Sequence, residues 1–220
     1  MLTSELIDHN IPRLQLLDSV IKARQLITDF KLTHLPVVTE DKFLGLISEE
    51  DLLDIEEIKT TIEHIQECFI VDFLQDDVHF LNAINYCNQF ESNIVPIVTK
   101  NKDFCGVITA SCLLKTIGEF SGANEIGGLI ILEMERINFS ISEISRIIEN
   151  NDSTILHLNT ITNKETGMLI VTLHINNRDL ASIVSTFERY KYNVHYHFGA
   201  MEIQDTTDHN YKNLMKYLDL

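Results

Sequence analysis

No apolar run in this sequence is long enough to span a membrane. The longest uninterrupted aliphatic stretch is Leu129-Ile130-Ile131-Leu132, against the roughly 20 residues that a bilayer-spanning helix needs. Positive charge is scarce. Seventeen Lys and Arg face 33 Asp and Glu, a formal charge of -16. Both halves share the imbalance: 9 against 20 in residues 1–120, and 8 against 13 in the rest. Such a field opposes sequence-independent binding to nucleic acid or anionic lipid, so neither is expected as a partner. The four cysteines, Cys68, Cys87, Cys105 and Cys112, form no Cys-x-x-Cys pair, and three stand among apolar residues. That pattern predicts reduced, mostly buried thiols and no zinc. The start, Met1-Leu2-Thr3-Ser4-Glu5-Leu6-Ile7-Asp8, has neither basic residues nor a long apolar core, so a cytoplasmic protein without a secretory leader is expected. Catalytic signatures are missing too. The sequence has no Gly-x-x-x-x-Gly-Lys loop, no Gly-x-Ser-x-Gly elbow and no His-Glu-x-x-His. No enzyme activity and no catalytic residue are predicted.

What the 220 residues do contain is a unit used twice. Phe43-Leu44-Gly45-Leu46-Ile47-Ser48-Glu49-Glu50-Asp51-Leu52-Leu53 reads as a short buried strand running into a helix, with Gly45 allowing a close approach or bulge. It recurs 61 residues later as Phe104-Cys105-Gly106-Val107-Ile108-Thr109-Ala110-Ser111-Cys112-Leu113-Leu114. Upstream, Leu35-Pro36-Val37-Val38-Thr39 is echoed by Val95-Pro96-Ile97-Val98-Thr99. Asp18-Ser19 can cap a helix through Val20, Ala23, Leu26, Ile27 and Phe30. The predicted repeat is strand-helix-strand-strand-helix. Ile55–Glu67 is read as an acidic helix between the copies. The second copy is expected to open with a strand at Phe69–Phe73 and a helix capped by Asp76-Asp77.

These two ordered motifs resemble the cystathionine-beta-synthase (CBS) domain, which carries Pro-Val-Val, a glycine, then Ile-Thr/Ser-x-x-Asp and Leu or Ile. The resemblance covers residues 1–60 and 61–120 as two copies. It implies a regulatory module that binds an adenosyl ligand such as AMP, ADP or ATP in a cleft between paired copies, without catalysis and with no required cofactor. It also implies pairing of the chain into a homodimer and an unidentified client protein.

Gly118, Gly122 and Gly127-Gly128 mark a boundary. Strands at Leu129–Met134, Ile155–Ile161, Met168–Ile175 and Tyr192–Phe198 are then expected. Helices lie between them at Ser142–Glu149 and from Asp179 through Phe187. This β-α-β-β-α-β order is the ferredoxin-like arrangement. After a CBS pair it resembles an ACT domain, a small-molecule sensing fold, over residues 125–205. The whole is similar to the acetoin utilisation protein B type of architecture. The predicted class is therefore α+β. The first ACT loop often reads Asp-Arg-Pro-Gly-Leu-Leu. Here Arg136-Ile137-Asn138-Phe139-Ser140-Ile141 stands in that place, with Phe139 replacing the glycine, so no free amino acid is expected to bind there. In the tail, residues 206–220, Tyr211, Leu214, Met215 and Leu218 recur at helical spacing.

The candidate binding residues follow from the repeat. A carboxylate offers two acceptor oxygens to the adjacent hydroxyls of a ribose, and a serine can donate to ribose or phosphate. Asp51 and Ser48 are the candidates, with the Leu35-Pro36-Val37 strand beside the base and Thr109 in the second copy. A helix N-terminus adds free N–H groups for phosphate. Ser-x-x-Asp is equally a capping box that stabilises a helix start without ligand, and both readings stand. Cys112 occupies the position of Asp51 in the second copy, and a thiol cannot grip a diol. The acids Glu49, Glu50, Asp51, Asp54, Glu56 and Glu57 are read as a solvated helix face or a cation site. His195 and His197 should share one strand face, as surface imidazoles or a metal pair. No metal ligand is assigned.

Overall fold

The computed structural model describes residues 1–56 and 60–199. The chain divides into two compact units, Met1–Ile117 and the remainder from Gly118. In the first unit, α1 (Val20–Phe30), β1 (His34–Thr39), β2 (Lys42–Ser48) and α2 (Glu49–Leu53) form one copy. The second copy is β3 (Leu74–Gln75), α3 (Leu81–Phe90), β4 (Ile94–Val98), β5 (Phe104–Thr109) and α4 (Ala110–Phe120). Ser19 caps α1 by accepting from the Lys22 N–H, and the helix buries Val20, Ala23 and Ile27 along one stripe. It stops at Lys31, which adopts the left-handed conformation. Each hairpin is antiparallel, and each has a register shift at the same place, Val37/Val38 and Ile97/Val98.

The copies are locked by exchange. Ile70, upstream of the second hairpin, pairs with Leu46 of β2, each N–H donating to the other's carbonyl at 2.8 and 2.9 Å. Asp8, upstream of the first hairpin, pairs in the same way with Val107 of β5. The glycines make room for this. A Cβ on Gly45 would lie 2.7 Å from Phe69 Cβ, and one on Gly106 would lie 2.5 Å from Ile7 Cγ2. Equivalent residues of the two copies also meet directly. Phe43 stacks on Phe104 at 6.0 Å, and Lys42 Nζ reaches Asp103 at 2.5 Å. One continuous core results, from Leu14 and Val20 to Ile108 and Leu113.

Local expectations fail where this exchange takes over. Phe69–Phe73 does not form the opening strand of the second copy, because Ile70 is engaged with Leu46. The opening strand is the two-residue β3, parallel to β4. In the first copy it shrinks to a single parallel bridge, Leu14 to Val37. Asp76-Asp77 caps no helix. The N–H groups of Thr3 and Ser4 donate to the carbonyls of Val78 and Asp76, and Thr3 Oγ1 donates to Gln75 O at 2.7 Å. This ties residues 75–78 to the N-terminal segment, and α3 starts only at Leu81 without a side-chain cap. Ile55–Glu67 is not one helix either. A 3-10 segment spans Ile62–Cys68 and is broken by non-helical geometry at Ile65.

The second unit has β6 (Gly128–Met134), α5 (Ile141–Glu149), β7 (Ile155–Thr162), β8 (Leu169–Ile175), α6 (Ala181–Arg189) and β9 (Asn193–Phe198). The strands lie in the order β7-β8-β6-β9, all neighbours antiparallel. Strict alternation on β6 and β8 sends Ile130, Leu132, Val171 and Leu173 into a core with Ile144, Ile147, Ile183 and Phe187 of the helices. Ser140 caps α5. Asp179 accepts from Ala181 N instead, and α6 has no side-chain cap. On β9 the alternation of Val194, Tyr196 and Phe198 predicts one shared face, but a register shift opposite Ile131/Leu132 splits it. Val194 pairs with buried Leu132, while Tyr196 and Phe198 pair with Ile131 and Leu129 and are 54% and 51% exposed. The helical spacing noted at Tyr211–Leu218 lies outside the described residues.

Tyr192 links β9's approach to α5. Its hydroxyl donates to Glu143 Oε2 at 2.7 Å, and burial followed by Glu143 pushes its pKa up to about 12. The unfolded value is about 10, so folding favours the protonated phenol. This contribution to stability is complete below about pH 10 and is lost as the pH rises from about 10 to 12. Absorbance titration at 295 nm should show a late-ionising tyrosine that disappears in Tyr192→Phe and moves down in Glu143→Gln. Superimposable curves above pH 11 would contradict this.

Candidate functional site

The repeated strand–helix junctions converge on one network. Glu49 N donates to Thr33 O, and in the second copy Ala110 N donates to Asn93 O, both at 2.8 Å. Thr33 and Asn93 occupy equivalent positions, three residues before Pro36 and Pro96. They bond each other: Thr33 N donates to Asn93 Oδ1 at 2.9 Å and Asn93 N donates to Thr33 Oγ1 at 3.0 Å. The starts of α2 and α4, with Ser48 and Thr109, therefore flank a shared polar seam. Thr33 and Asn93 were not foreseen; buried His34 joins them as a structural group, its Nδ1 2.9 Å from Thr33 Oγ1. Their matched place before the two prolines was the available signal.

At the first junction Ser48 Oγ accepts from Asp51 N at 3.0 Å and donates to Asp51 Oδ2 at 2.5 Å. This is the capping geometry. It uses one carboxylate oxygen, and Oδ1 makes no hydrogen bond among the described residues. Cys68 ends the 3-10 segment two residues before the Leu46–Ile70 bridge and lies within reach of the Asp51 charge. Burial pushes the Cys68 thiol up, and Asp51, Glu67 and Asp54 add to it. His34 is held below its usual value by burial, with Asp51 pulling the other way. Arg24 donates to the carbonyls of Leu52, Leu53 and Ile55, so this guanidinium closes the end of α2. With Glu49, Glu50 and Asp51 in its first turn and five residues in all, α2 is a poor phosphate anchor.

Leu35, Pro36 and Val37 are all buried. The backbone of this strand is also engaged, with Leu14 N donating to Pro36 O and Val38 N to Leu14 O. At the second junction Thr109 Oγ1 accepts from Cys112 N at 3.2 Å and lies 2.9 Å from Ser111 Oγ. Cys112 Sγ is 3.8 Å from Leu6 O.

Other sequence candidates are not brought together. Among the described residues no three His, Cys, Asp or Glu side chains could hold a metal ion. The acidic run lies partly outside the described residues at Glu57. His195 sits beside Tyr196, 3.8 Å from Glu133, whereas His197 pairs with Ile130, whose side chain faces the helices. The bulge separates the two imidazoles. All four cysteines are free and half-buried. Phe139 packs against the core of the second unit. No helix among the described residues is long and apolar enough to cross a membrane.

A family model for the CBS domain matches residues 4–57. Among solved structures, a CBS domain pair/ACT domain protein from Thermotoga maritima has a TM-score of 0.50 at 16% identity, covering 55% of this chain and 98% of that one. An acetoin utilization protein from Vibrio cholerae has a TM-score of 0.47 at 19% identity, covering 56% and 95%. CBSX2, solved in complex with AMP, has a TM-score of 0.46 at 17% identity, covering 54% and 97%. At these identities the likeness is one of fold. The first unit thus folds as a CBS domain pair, and its first copy, residues 4–57, matches the CBS domain family.

Proposed function

We propose that this protein is a cytoplasmic, non-catalytic regulator that binds an adenosyl ligand in the first cleft of its CBS pair. The observation that carries this is the junction of β2 and α2, where Asp51 keeps Oδ1 uncommitted while Ser48 positions its other oxygen. Oδ1 accepts from a ribose hydroxyl, and Oδ2 exchanges Ser48 for the second hydroxyl. The Leu35-Pro36-Val37 strand lines the base, and Thr109 stands across the seam. Residues 1–60 and 61–120 are the two copies. Residues 125–205 are a ferredoxin-like, ACT-like module, a reading supported by the strand order β7-β8-β6-β9. It serves dimerisation or contact with a client protein rather than amino acid binding, since Phe139 takes the place of the loop glycine. A ligand shifts domain geometry only if it prefers one arrangement.

A second reading is favoured by Cys112 and Phe139: a homo-oligomeric interaction protein whose ligand sites have decayed. Thermal unfolding with AMP, ADP, ATP and adenosine separates the two. Ligand at about 100 times its Kd stabilises by about 2.7 kcal/mol, a rise of roughly 5–10 °C for a protein of this size. No rise with any of the four establishes the second reading.

A further inference from the structure

The face of the second unit's sheet that looks away from its helices is not uniformly apolar. Over β6, β7 and β8 it carries a cavity of about 750 Å³, walled by residues 121–127. Its floor is a two-by-two array of cross-strand neighbours. His157 pairs with His174, and Asn159 pairs with Thr172. Directly paired residues on neighbouring strands have Cβ atoms about 4.5–5.5 Å apart, so the four polar groups form one patch. None of the four side chains makes a hydrogen bond among the described residues. The opposite face of the same strands is packed aliphatic core, with Val171 and Leu173 fully buried. Gly127 lets the wall close on the floor: a Cβ there would lie 2.0 Å from Ile175 O and 2.9 Å from His174 Nε2. Phe198 stands at the rim, half exposed.

We propose that this cavity binds an uncharged nitrogen heterocycle of the nucleobase class. Among the described residues the lining has no Lys or Arg and one carboxylate, Glu125, which disfavours anions. An amide side chain presents a donor and an acceptor side by side, which matches the edge of a base. A neutral imidazole adds one donor and one acceptor, and a hydroxyl adapts to either. Phe198 and Leu129 supply apolar surface on which a flat ring can stack. The volume falls in the usual range for small-molecule sites, roughly 300–1,000 Å³. The site is separate from the cleft at Asp51 and does not depend on ligand binding there.

The test uses the full chain carrying Asp51→Ala, which removes the first-cleft carboxylate. Adenine, hypoxanthine, cytosine and uracil are titrated as free bases, followed by amide chemical shifts and calorimetry. At least one base should saturate below 5 mM, with shifts centred on residues 157–159 and 172–174. Asn159→Ala and His174→Leu should each weaken it at least tenfold, while Ile161→Ala, on the same strand but outside the lining, should not. Circular dichroism melts establish that each variant is folded, and Thr172→Val gives a near-isosteric third probe if one is not. Three results would overturn the proposal: no saturation by any of the four bases, shifts confined to residues 33–52, or unchanged affinity in the floor variants.

Discussion

Replacing Gly106 with alanine is expected to cost about 3 kcal/mol, from backbone strain and overpacking together. Its φ is +142°, a conformation that side chains with a Cβ rarely adopt. The added carbon would also stand 2.5 Å from Ile7 Cγ2 and 3.1 Å from Asp8 O. Those atoms belong to the segment that crosses from the N-terminus to pair with β5, so relief means pulling the exchanged strand away. Gly45→Ala meets Phe69 Cβ at 2.7 Å without the strained φ, and overpacking alone predicts about 1–3 kcal/mol. Gly118→Ala is the control. It lies inside α4 with nothing within 4 Å of its added carbon, and the helix should gain up to about 1 kcal/mol. Denaturant unfolding of the three variants measures this. A Gly106→Ala protein within 0.5 kcal/mol of the parent, on the order of a neutral surface change, would show that the crossing segments do not hold the pair together.

Asp51→Ala is expected to weaken adenosyl binding by roughly 10- to 150-fold. That corresponds to the roughly 1.5–3 kcal/mol cost of leaving a charged hydrogen bond unmade in a closed cleft. The fold should survive, because the capping contribution at Ser48 is of order 1 kcal/mol. Cys112→Ala should change affinity much less, since the hydrogen-bond contact of Cys112 Sγ among the described residues is a long one to Leu6 O, 3.8 Å, and a thiol offers little to a diol. Cys112→Asp places a carboxylate three residues after Thr109, as Asp51 follows Ser48, and is expected to add a second site. Titration of AMP, ADP, ATP and adenosine into the four proteins decides it. Equal affinity of the parent and Asp51→Ala would make Ser48 and Asp51 a helix cap and nothing more. Damage from Cys112→Ala instead would put the ligand in the other cleft.

Much of the first unit is legible locally. Apolar runs interrupted by Pro36 and Pro96, a polar turn, and a second run with a glycine predict two hairpins, which form as β1-β2 and β4-β5. Ser19 before a helical stripe predicts α1 and its cap. Two of the failures share one cause. Asp76-Asp77 looks like a helix start, yet Thr3 and Ser4 hold that backbone from more than 70 residues away. Phe69–Phe73 looks like a strand of its own copy, yet Ile70 is spent on Leu46. The pairing of His195 with His197 assumed unbroken alternation, and a single bulge shifts every side chain beyond it to the other face.

From sequence alone came the duplication, the identity of nearly every strand and helix, and the asymmetry between Asp51 and Cys112. These are properties of residue type and short-range spacing, which burial periodicity and capping chemistry express locally. Only the tertiary structure decided which segment pairs with which hairpin, that Thr33 and Asn93 join the two junctions, and that Arg24 donates to the carbonyls at the end of α2. It also decided that the polar residues of β7 and β8 gather under one cavity wall. Backbone N–H and C=O groups are the same in every residue, so a partner distant in the sequence leaves no mark on it beyond the small residue that lets it approach. At Gly45 and Gly106 that mark was visible, but not the identity of the segment it admits.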